Sequence, residues 1–380
     1  MSKTRVFLKI IAGAAAGCVL AAALTLAVNS DENEENAASA YAYCLYCANN
    51  AQVVAAKNEN VRLPPASTTK IMTAILGIEA IQAADDMQIE ITEDMYAEGS
   101  SMYLNSGEIV RLSDLVGGMM MVSGNDAANA IAKTLGGNSE GFADMMNEKA
   151  GSLGLFDTHF VTPSGLDADG HFTTAFDLAR LMAHCMENDA FRQIVSGSSV
   201  TVDFVEPQGK SQTYYNENKL LSRYEYCVGG KTGYTDKAGR TLVSCAEKDG
   251  VRLICVTLND PNDWNDHAEL FDYGFDKMNM SQANAGSAAV EISVVGGESE
   301  SVTANVGEPP LVCQGSGDVQ VKYEIPPFLY APVKNGQQIG VLKYYTGGVY
   351  AGKTDISAAS DVELSERETS FIENIISFFR

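Results

Sequence analysis

Hydrophobic periodicity changes twice along this chain, and the order of the changes limits the folds open to it. Strand-like stretches occupy residues 42–54 near the start and residues 241–246 and 251–258 later in the chain. Apolar residues at helical spacing lie between them and predict helices over 70–83, 112–121, 126–135, 142–153 and 172–188, and a further helix begins near 268. Strands on both sides of a helical middle predict an α+β fold in which both ends of the segment complete one sheet.

A second domain is predicted from the pattern after residue 287. Stretches that begin at Val290, Ser301, Val319 and Ile339 alternate apolar and polar side chains, with Gly and Pro between them. Such alternation is typical of antiparallel strands with one buried face. We therefore expect an α+β domain over residues 41–283, with an antiparallel sheet and a helical region, and a small all-β, sandwich-like domain over residues 284–358.

Both ends of the chain carry segments that differ from these domains. Basic residues precede an uncharged run over 10–28, which predicts a signal peptide or a retained N-terminal anchor over residues 1–30, followed by an acidic linker over 31–40. Either outcome exports the body to the outer face of the cell membrane or to the cell wall. Residues 359–380 predict an amphipathic tail helix that binds a membrane surface, and packing on the chain itself or on a partner is the alternative.

Composition argues against two classes of partner. The formal charge of −23 would repel phosphates, so no nucleic acid is expected to bind. Only four histidines and one C-x-x-C pair argue against a zinc site, and no metal or cofactor is expected. That pair, Cys44 and Cys47, is open to interpretation as a strained disulfide, a redox pair or two half-buried strand thiols. Cys245 and Cys255 flank a turn predicted at Asp249-Gly250, and this register points their sulfurs to opposite faces.

Three short motifs stand in order along the chain: Ser67-Thr68-Thr69-Lys70, Ser123-Gly124-Asn125 and Lys231-Thr232-Gly233. Each occurs often by chance, but together and in this order they point to acyl transfer at a serine. Residues three apart on a helix share a face, so Lys70 can reach the Ser67 hydroxyl and take its proton. The lysine can do so only if burial or a nearby cation lowers its pKa, and Lys231 is a candidate for that cation.

The second motif adds a hydroxyl and an amide. Ser123 can relay a proton between a lysine and a leaving amine. Asn125 can orient Lys70 and bind a substrate carbonyl group. Because Ser, Gly and Asn all favour helix starts, a simple helix cap is the alternative interpretation.

The third motif is predicted to lie on an edge strand and to hold the substrate. Lys231 and Thr232 offer one positive charge and one hydroxyl to a carboxylate, and Gly233 leaves room for the substrate backbone to add to the strand. The backbone N–H groups of Ser67 and Tyr234 are the predicted oxyanion hole.

With their flanking residues, these motifs resemble the serine D-alanyl-D-alanine carboxypeptidases, the low-molecular-weight penicillin-binding proteins. The resemblance covers about residues 41–277 and rests on Pro65–Thr73, Ser123–Ala127, His171–Asp177 and Gly229–Asp236. It implies a penicillin-binding transpeptidase or β-lactamase-like domain that removes the terminal D-Ala from peptidoglycan pentapeptides and is acylated by penicillin. Peptidoglycan stem peptides and β-lactam inhibitors are therefore the implied partners.

The resemblance also implies a role for each motif residue. Ser67 is the acylated nucleophile and Lys70 its base. The proton network is completed by Ser123 and Asn125, while the substrate carboxylate is held by Lys231 and Thr232. Some members of the family add an arginine shortly after the following hairpin, but residues 253–276 contain no Arg or Lys, so we expect the carboxylate to depend on the third motif.

Other functions use the same motifs. A serine β-lactamase needs a glutamate on a loop after the second motif, and no Glu lies between Lys149 and Met186, so we expect a long-lived penicilloyl-enzyme. A DD-endopeptidase would use the same residues, and a non-catalytic penicillin-binding scaffold is the third alternative.

Overall fold

A computed structural model describes residues 38–283, 290–315, 319–365 and 376–378. The predicted signal peptide, most of the acidic linker, and residues 366–375 and 379–380 of the predicted tail lie outside these residues. Of the tail's described residues, 376–378 are helical, but 359–365 are not: Val362 and Leu364 pair with Val333 and Gly297 of the β domain, so the tail helix was predicted to begin too early. Within the described part of the chain, no helix is long and apolar enough to span a bilayer.

The first domain is built on an antiparallel sheet to which both ends of the domain contribute. Its strands and short ribbons are β1 (Ala42–Cys47), β2 (Gln52–Lys57), β3 (Gln88–Glu90), β4 (Ile109–Arg111), β5 (Ser199–Asp203), β6 (Ser211–Tyr215), β7 (Cys227–Thr235), β8 (Gly239–Lys248) and β9 (Val251–Leu258). The main sheet has the order β2-β1-β9-β8-β7, so strand β1 from the start of the domain pairs with β9 from its end. The predicted edge position of the third motif is confirmed, because it lies on β7.

Helices occupy the middle of the domain, as the sequence predicts. They are α1 (Lys70–Ala83), α2 (Leu112–Val122), α3 (Asn125–Gly136), α4 (Ser139–Ser152), α5 (Ala175–Cys185), α6 (Asp189–Ser196), α7 (Leu220–Arg223) and α8 (Asp263–Lys277). The first nine residues of α1 are buried on all sides, which makes it the central helix of the domain.

The main sheet separates two hydrophobic cores, and alternation along β1 shows why. Cys44 and Tyr46 enter the core shared with α1–α5, whereas Leu45 and Cys47 enter the core beneath α8. Helices therefore cover both faces of the sheet, and its edge strand β7 is left next to the start of α1.

The second domain is all-β, as predicted, and has its own core. Strand β10 (Asn279–Gln282) leads into it, followed by β11 (Val290–Val295), β12 (Ser301–Val306), β13 (Leu311–Gln314), β14 (Val319–Glu324), β15 (Phe328–Tyr330), β16 (Gln338–Thr346) and β17 (Val349–Ala358). Six of these strands form one sheet in the order β14-β16-β17-β12-β11-β15, while β10 pairs with β13 in a separate ribbon.

The positions of four cysteines show whether the predicted strand registers are correct. Ser244 pairs with Cys255 and Cys245 with Ile254, so the predicted hairpin register is confirmed and the two sulfurs face different cores. The side chains of Cys44 and Cys47 likewise enter different cores. Both are fully buried rather than half-buried, and the mutual disulfide or redox pair is excluded because their sulfurs do not meet.

Candidate active site

The first motif forms the junction between a loop and the central helix. Ser67 lies in a short 3-10 turn, Ala66–Thr69, whose first residue has a left-handed φ of 50°. Lys70 begins α1 and is fully buried. Its Nζ lies 2.9 Å from Ser67 Oγ, so the structure places the predicted nucleophile and base within hydrogen-bonding distance.

Two further contacts fix the Lys70 amine. Nζ donates to Asn125 Oδ1 at 2.7 Å and to the Ser164 carbonyl at 2.6 Å. Both oxygens can only accept, so the two hydrogens of a neutral amine satisfy them and its lone pair faces the Ser67 hydroxyl. Burial lowers the pKa of Lys70 well below its usual range, and the Lys231 cation lowers it further. The site therefore favours the amine form that can take a proton.

The second motif links α2 to α3. Ser123 adopts a left-handed conformation, with φ 59°, and is buried at the cavity edge. Asn125 is the first residue of α3, and its Nδ2 donates to the Glu98 carbonyl at 2.7 Å. Because no side chain caps α3, the motif is not explained as a simple helix cap.

Asp126, which the sequence reasoning missed, holds the segment facing Ser67. Its buried carboxylate accepts from Ser101 Oγ at 2.7 Å and from the backbone N–H groups of Met102 at 2.9 Å and Leu104 at 3.1 Å. The preceding residues of that segment, Gly99 and Ser100, line the cavity. Asp126 therefore positions one wall of the site.

The third motif lies on β7, directly beside the nucleophile. Lys231 is buried, its Nζ donates to the Thr232 carbonyl at 2.8 Å, and burial lowers its pKa to about 8. A Cβ at position 233 would lie 2.9 Å from Ser67 N and 2.4 Å from Thr241 Oγ1. A side chain at this position would therefore collide with the turn that carries Ser67, while Gly233 itself lines the cavity and its predicted contact with substrate stays a prediction.

These elements enclose a cavity of about 580 Å³. The predicted site residues at its surface are Ser67, Ser123, Asn125, Thr232, Gly233 and Tyr234. Lys70 and Lys231 are buried behind this surface and act on it through their neighbours. The structure therefore brings every predicted site residue to one place.

The cavity also contains charged residues that were missed. Arg240 lies on β8 opposite Tyr234 and forms a two-pronged ion pair with Asp263, in which Nη2 donates to Oδ1 at 2.7 Å and Nε donates to Oδ2 at 3.1 Å. The segment after the β8–β9 hairpin, which contains no arginine, supplies Asp263, and Asp263 binds Arg240 of β8. The site therefore has a second cationic side chain besides Lys231. Glu217 also lines the cavity. Arg240 could have been found from the sequence, because the register of the hairpin places it opposite Tyr234 of the third motif's strand. No local sequence pattern marks Glu217 as a site residue.

The loop that contains Ser164 packs against the turn that carries Ser67 and forms one side of the site. The His171 Nδ1 accepts from Val161 N at 2.9 Å, so Nε2 carries the proton and donates to Thr69 Oγ1 at 2.9 Å. Burial lowers the pKa of His171 to about 4, which keeps the ring neutral. His171 therefore both packs in the interior and steadies the loop against the turn that carries Ser67. Among the described residues, no cluster of His, Cys, Asp and Glu is arranged to hold a metal.

A serine–lysine pair between a helix start and the edge strand of an antiparallel sheet defines a class of serine acyl-transfer enzymes. The family model described as D-alanyl-D-alanine carboxypeptidase, peptidase S11, matches residues 28–262, and the model of the C-terminal domain of penicillin-binding protein 5 matches residues 275–364. The chain belongs to this D-alanyl-D-alanine carboxypeptidase family and is a serine hydrolase.

Individual proteins that are similar to this chain have names of the same family. The D-alanyl-D-alanine carboxypeptidase DacB2 of Mycobacterium tuberculosis is 37% identical over 232 residues, which cover 59% of this chain and 78% of that protein. DacC of Escherichia coli is 31% identical over 332 residues, covering 82% and 81%. The crystal structure of penicillin-binding protein 5 from Haemophilus influenzae has a TM-score of 0.63 at 29% identity and covers 86% of this chain and 98% of that one.

Proposed function

We propose that this protein is a serine D-Ala-D-Ala carboxypeptidase that removes the terminal D-Ala from peptidoglycan pentapeptides through an acyl-enzyme on Ser67. The observation that carries the proposal is the Lys70 amine, 2.9 Å from Ser67 Oγ and fixed by two oxygens that can only accept. Such a base has its lone pair directed at the serine before substrate arrives.

The proposed reaction begins with proton transfer from Ser67 to Lys70. The serine oxygen attacks the carbonyl carbon of the penultimate D-Ala, and the resulting oxyanion lies between the backbone N–H groups of Ser67 and Tyr234. Ser123 passes the proton to the amine of the departing D-Ala. Water then hydrolyses the ester and restores the serine. Lost oxyanion contacts cost about 3 kcal/mol in comparable sites.

The substrate's terminal carboxylate is proposed to bind at the positive end of the cavity. Lys231 supplies a buried charge, Thr232 a hydroxyl, and Arg240 a guanidinium oriented by Asp263. The buried charge of Lys231 favours an anion at this surface, and Arg240, held by Asp263, adds hydrogen-bond donors at the cavity wall. β-Lactams present a carboxylate and a reactive carbonyl in a similar relation, so they are proposed to acylate Ser67.

We place this activity outside the cytoplasm, because the proposed substrate is a cell-wall peptide and residues 1–30 have the pattern of an export signal. Of the predicted tail over residues 359–380, the part after residue 365 is proposed to lie against the membrane surface, since its apolar residues recur at helical spacing.

The test is release of D-Ala from a peptide ending in D-Ala-D-Ala, together with covalent labelling by a fluorescent penicillin. Ser67→Ala should lose both. Ser106→Ala, which removes an exposed hydroxyl outside the cavity, is the control and should keep both. Undiminished D-Ala release by Ser67→Ala would refute the proposal. Release from a cross-linked dimer faster than from the pentapeptide would instead identify an endopeptidase.

A second candidate, penicillin hydrolysis, follows from Glu217 on the cavity wall. A carboxylate there can activate water against the acyl-enzyme. The mass of the intact protein, followed over time after penicillin addition, separates the two functions. A persistent adduct supports the carboxypeptidase. Rapid loss of the adduct in the wild type, with retention in Glu217→Gln, supports a β-lactamase.

A further inference from the structure

Two cysteines from different domains meet at the joint between them. Cys47 is the last residue of β1 in the first domain, and Cys313 lies on β13 in the second. Their sulfur atoms are 3.5 Å apart although the residues are 266 positions apart in sequence. Both side chains are buried, with exposed fractions of 0% and 2%.

Both cysteines of this pair lie in one continuous hydrophobic core. Cys313 packs in the core beneath α8, which otherwise consists of residues from the first domain and the strand that leaves it, including Leu45 and Met278. Strand β10, which connects the domains, pairs with β13 and sets Met280 opposite Cys313. The position of Cys313 is thus fixed by backbone pairing on one side and by core packing on the other.

We propose that Cys47 and Cys313 form a disulfide that joins the catalytic domain to the β domain. Two buried thiols already in contact need only a small closing movement to reach bonding distance. Disulfides form and persist in exported proteins, so this inference depends on export and not on the acyl-transfer chemistry.

The bond forms by two thiol–disulfide exchanges with an external disulfide, either a small molecule or a thiol–disulfide oxidoreductase. The thiolate of Cys47 attacks the external disulfide, forms a mixed disulfide and releases one thiol. The Cys313 thiolate then attacks the Cys47 sulfur and releases the second thiol. Two protons and two electrons pass from the protein to the oxidant.

Because both sulfurs are buried in the folded chain, exchange takes place before the joint closes. The bond therefore adds a second covalent link between two domains that are otherwise joined by the backbone through β10 and by non-covalent contacts. It also closes a loop that contains the whole catalytic domain from β2 onward.

The test begins with the reduced, unfolded full chain. It is refolded in a mixture of reduced and oxidised glutathione, and the remaining thiols are then alkylated in denaturant. The sequence has eight cysteines, so the wild type should take up six alkyl groups and yield one peptide pair that joins Cys47 to Cys313. Alkylation of all eight, a glutathione adduct in place of the link, or a link to another cysteine would overturn the proposal.

Variants separate the bond from general effects of losing a thiol. Cys313→Ser should take up seven alkyl groups, because Cys47 is left without a partner. Cys44→Ser removes an equally buried thiol from the same strand and should take up five, with the link intact. If a variant does not fold, the wild-type peptide map still decides. A reducing agent should lower the melting temperature of the wild type and of Cys44→Ser, and leave Cys313→Ser unchanged.

Discussion

Replacing Gly165 by alanine would test how closely the loop at Ser164 supports the nucleophile. The residue has φ +86°, and an added Cβ would lie 1.8 Å from the Ala66 carbonyl oxygen and 2.9 Å from Thr69 Oγ1. Contacts of a real Cβ do not fall below 3.0 Å, so the loop and the turn must separate by about 1.2 Å. Either the turn that carries Ser67 moves, or the Ser164 carbonyl moves away from Lys70.

A displacement of about 1 Å in a catalytic arrangement lowers the rate about 100-fold. We therefore expect Gly165→Ala to reduce the second-order rate of acylation by a fluorescent penicillin by about two orders of magnitude. The left-handed conformation of an alanine itself costs about 1–2 kcal/mol of stability. The control variant must also place an alanine in the left-handed conformation, but its added Cβ must not clash with a neighbouring segment.

Gly170→Ala is such a control, because Gly170 belongs to the same loop, has φ +80°, and its added Cβ would meet nothing closer than 3.9 Å. Thermal unfolding should show the cost of a left-handed alanine in both variants and a further loss in Gly165→Ala from the collision, whereas only Gly165→Ala should lose acylation. An acylation rate for Gly165→Ala within about twofold of that for Gly170→Ala would show that the contact does not position the site, and would refute this reasoning.

Three further predictions concern buried ionisable side chains. Acylation should decline above pH about 8, because Lys231 then loses the proton that makes it a cation, and Lys231→Arg should move this decline to higher pH in a rate profile. His267 is fully buried with its pKa lowered to about 3 from 6.5, so the unfolded chain binds more protons between these values and stability falls as the pH falls. Between pH 7 and pH 4.5 this loss is about 2–3 kcal/mol in urea titrations, and His267→Gln should lack it. Asp126→Asn should cost about 3 kcal/mol in the same assay, because an NH₂ group would then face backbone N–H groups.

Each of these predictions has its own contrary result. An alkaline decline that stays in place in Lys231→Arg would assign the decline to another group. An equal acid loss in His267→Gln would mean that carboxylates dominate the pH dependence. Asp126→Asn as stable as the wild type would show that its hydrogen bonds are replaced by water.

Local patterns predicted much of the framework. The limits of α1 were correct at both ends, because an apolar run begins directly after the serine motif and polar residues follow Ala83. The β8–β9 hairpin was correct in register, since a two-residue turn fixes which residues face each other. The types of the elements that carry the motif residues were also readable from sequence: the first two motifs lie at helix ends, and the third lies in the middle of strand β7.

The parts that were missed depend on contacts between distant segments. Neither Asp126 nor Glu217 belongs to a pattern that names its role, and each acquires that role from a loop or strand far away in sequence. The contact of Gly233 with the turn that carries Ser67 was also missed, because sequence shows that a side chain is absent but not which segment packs there.

The sequence by itself determined the fold class, the family resemblance and the three motifs, since these rest on periodicity and short spacings. Tertiary structure alone decided the surroundings of Lys70, the ion pair of Arg240 with Asp263, and the meeting of Cys47 with Cys313. The physical reason is that pKa shifts, ion pairs and sulfur contacts depend on distance and burial. Those quantities exist only once segments separated by many residues have packed together.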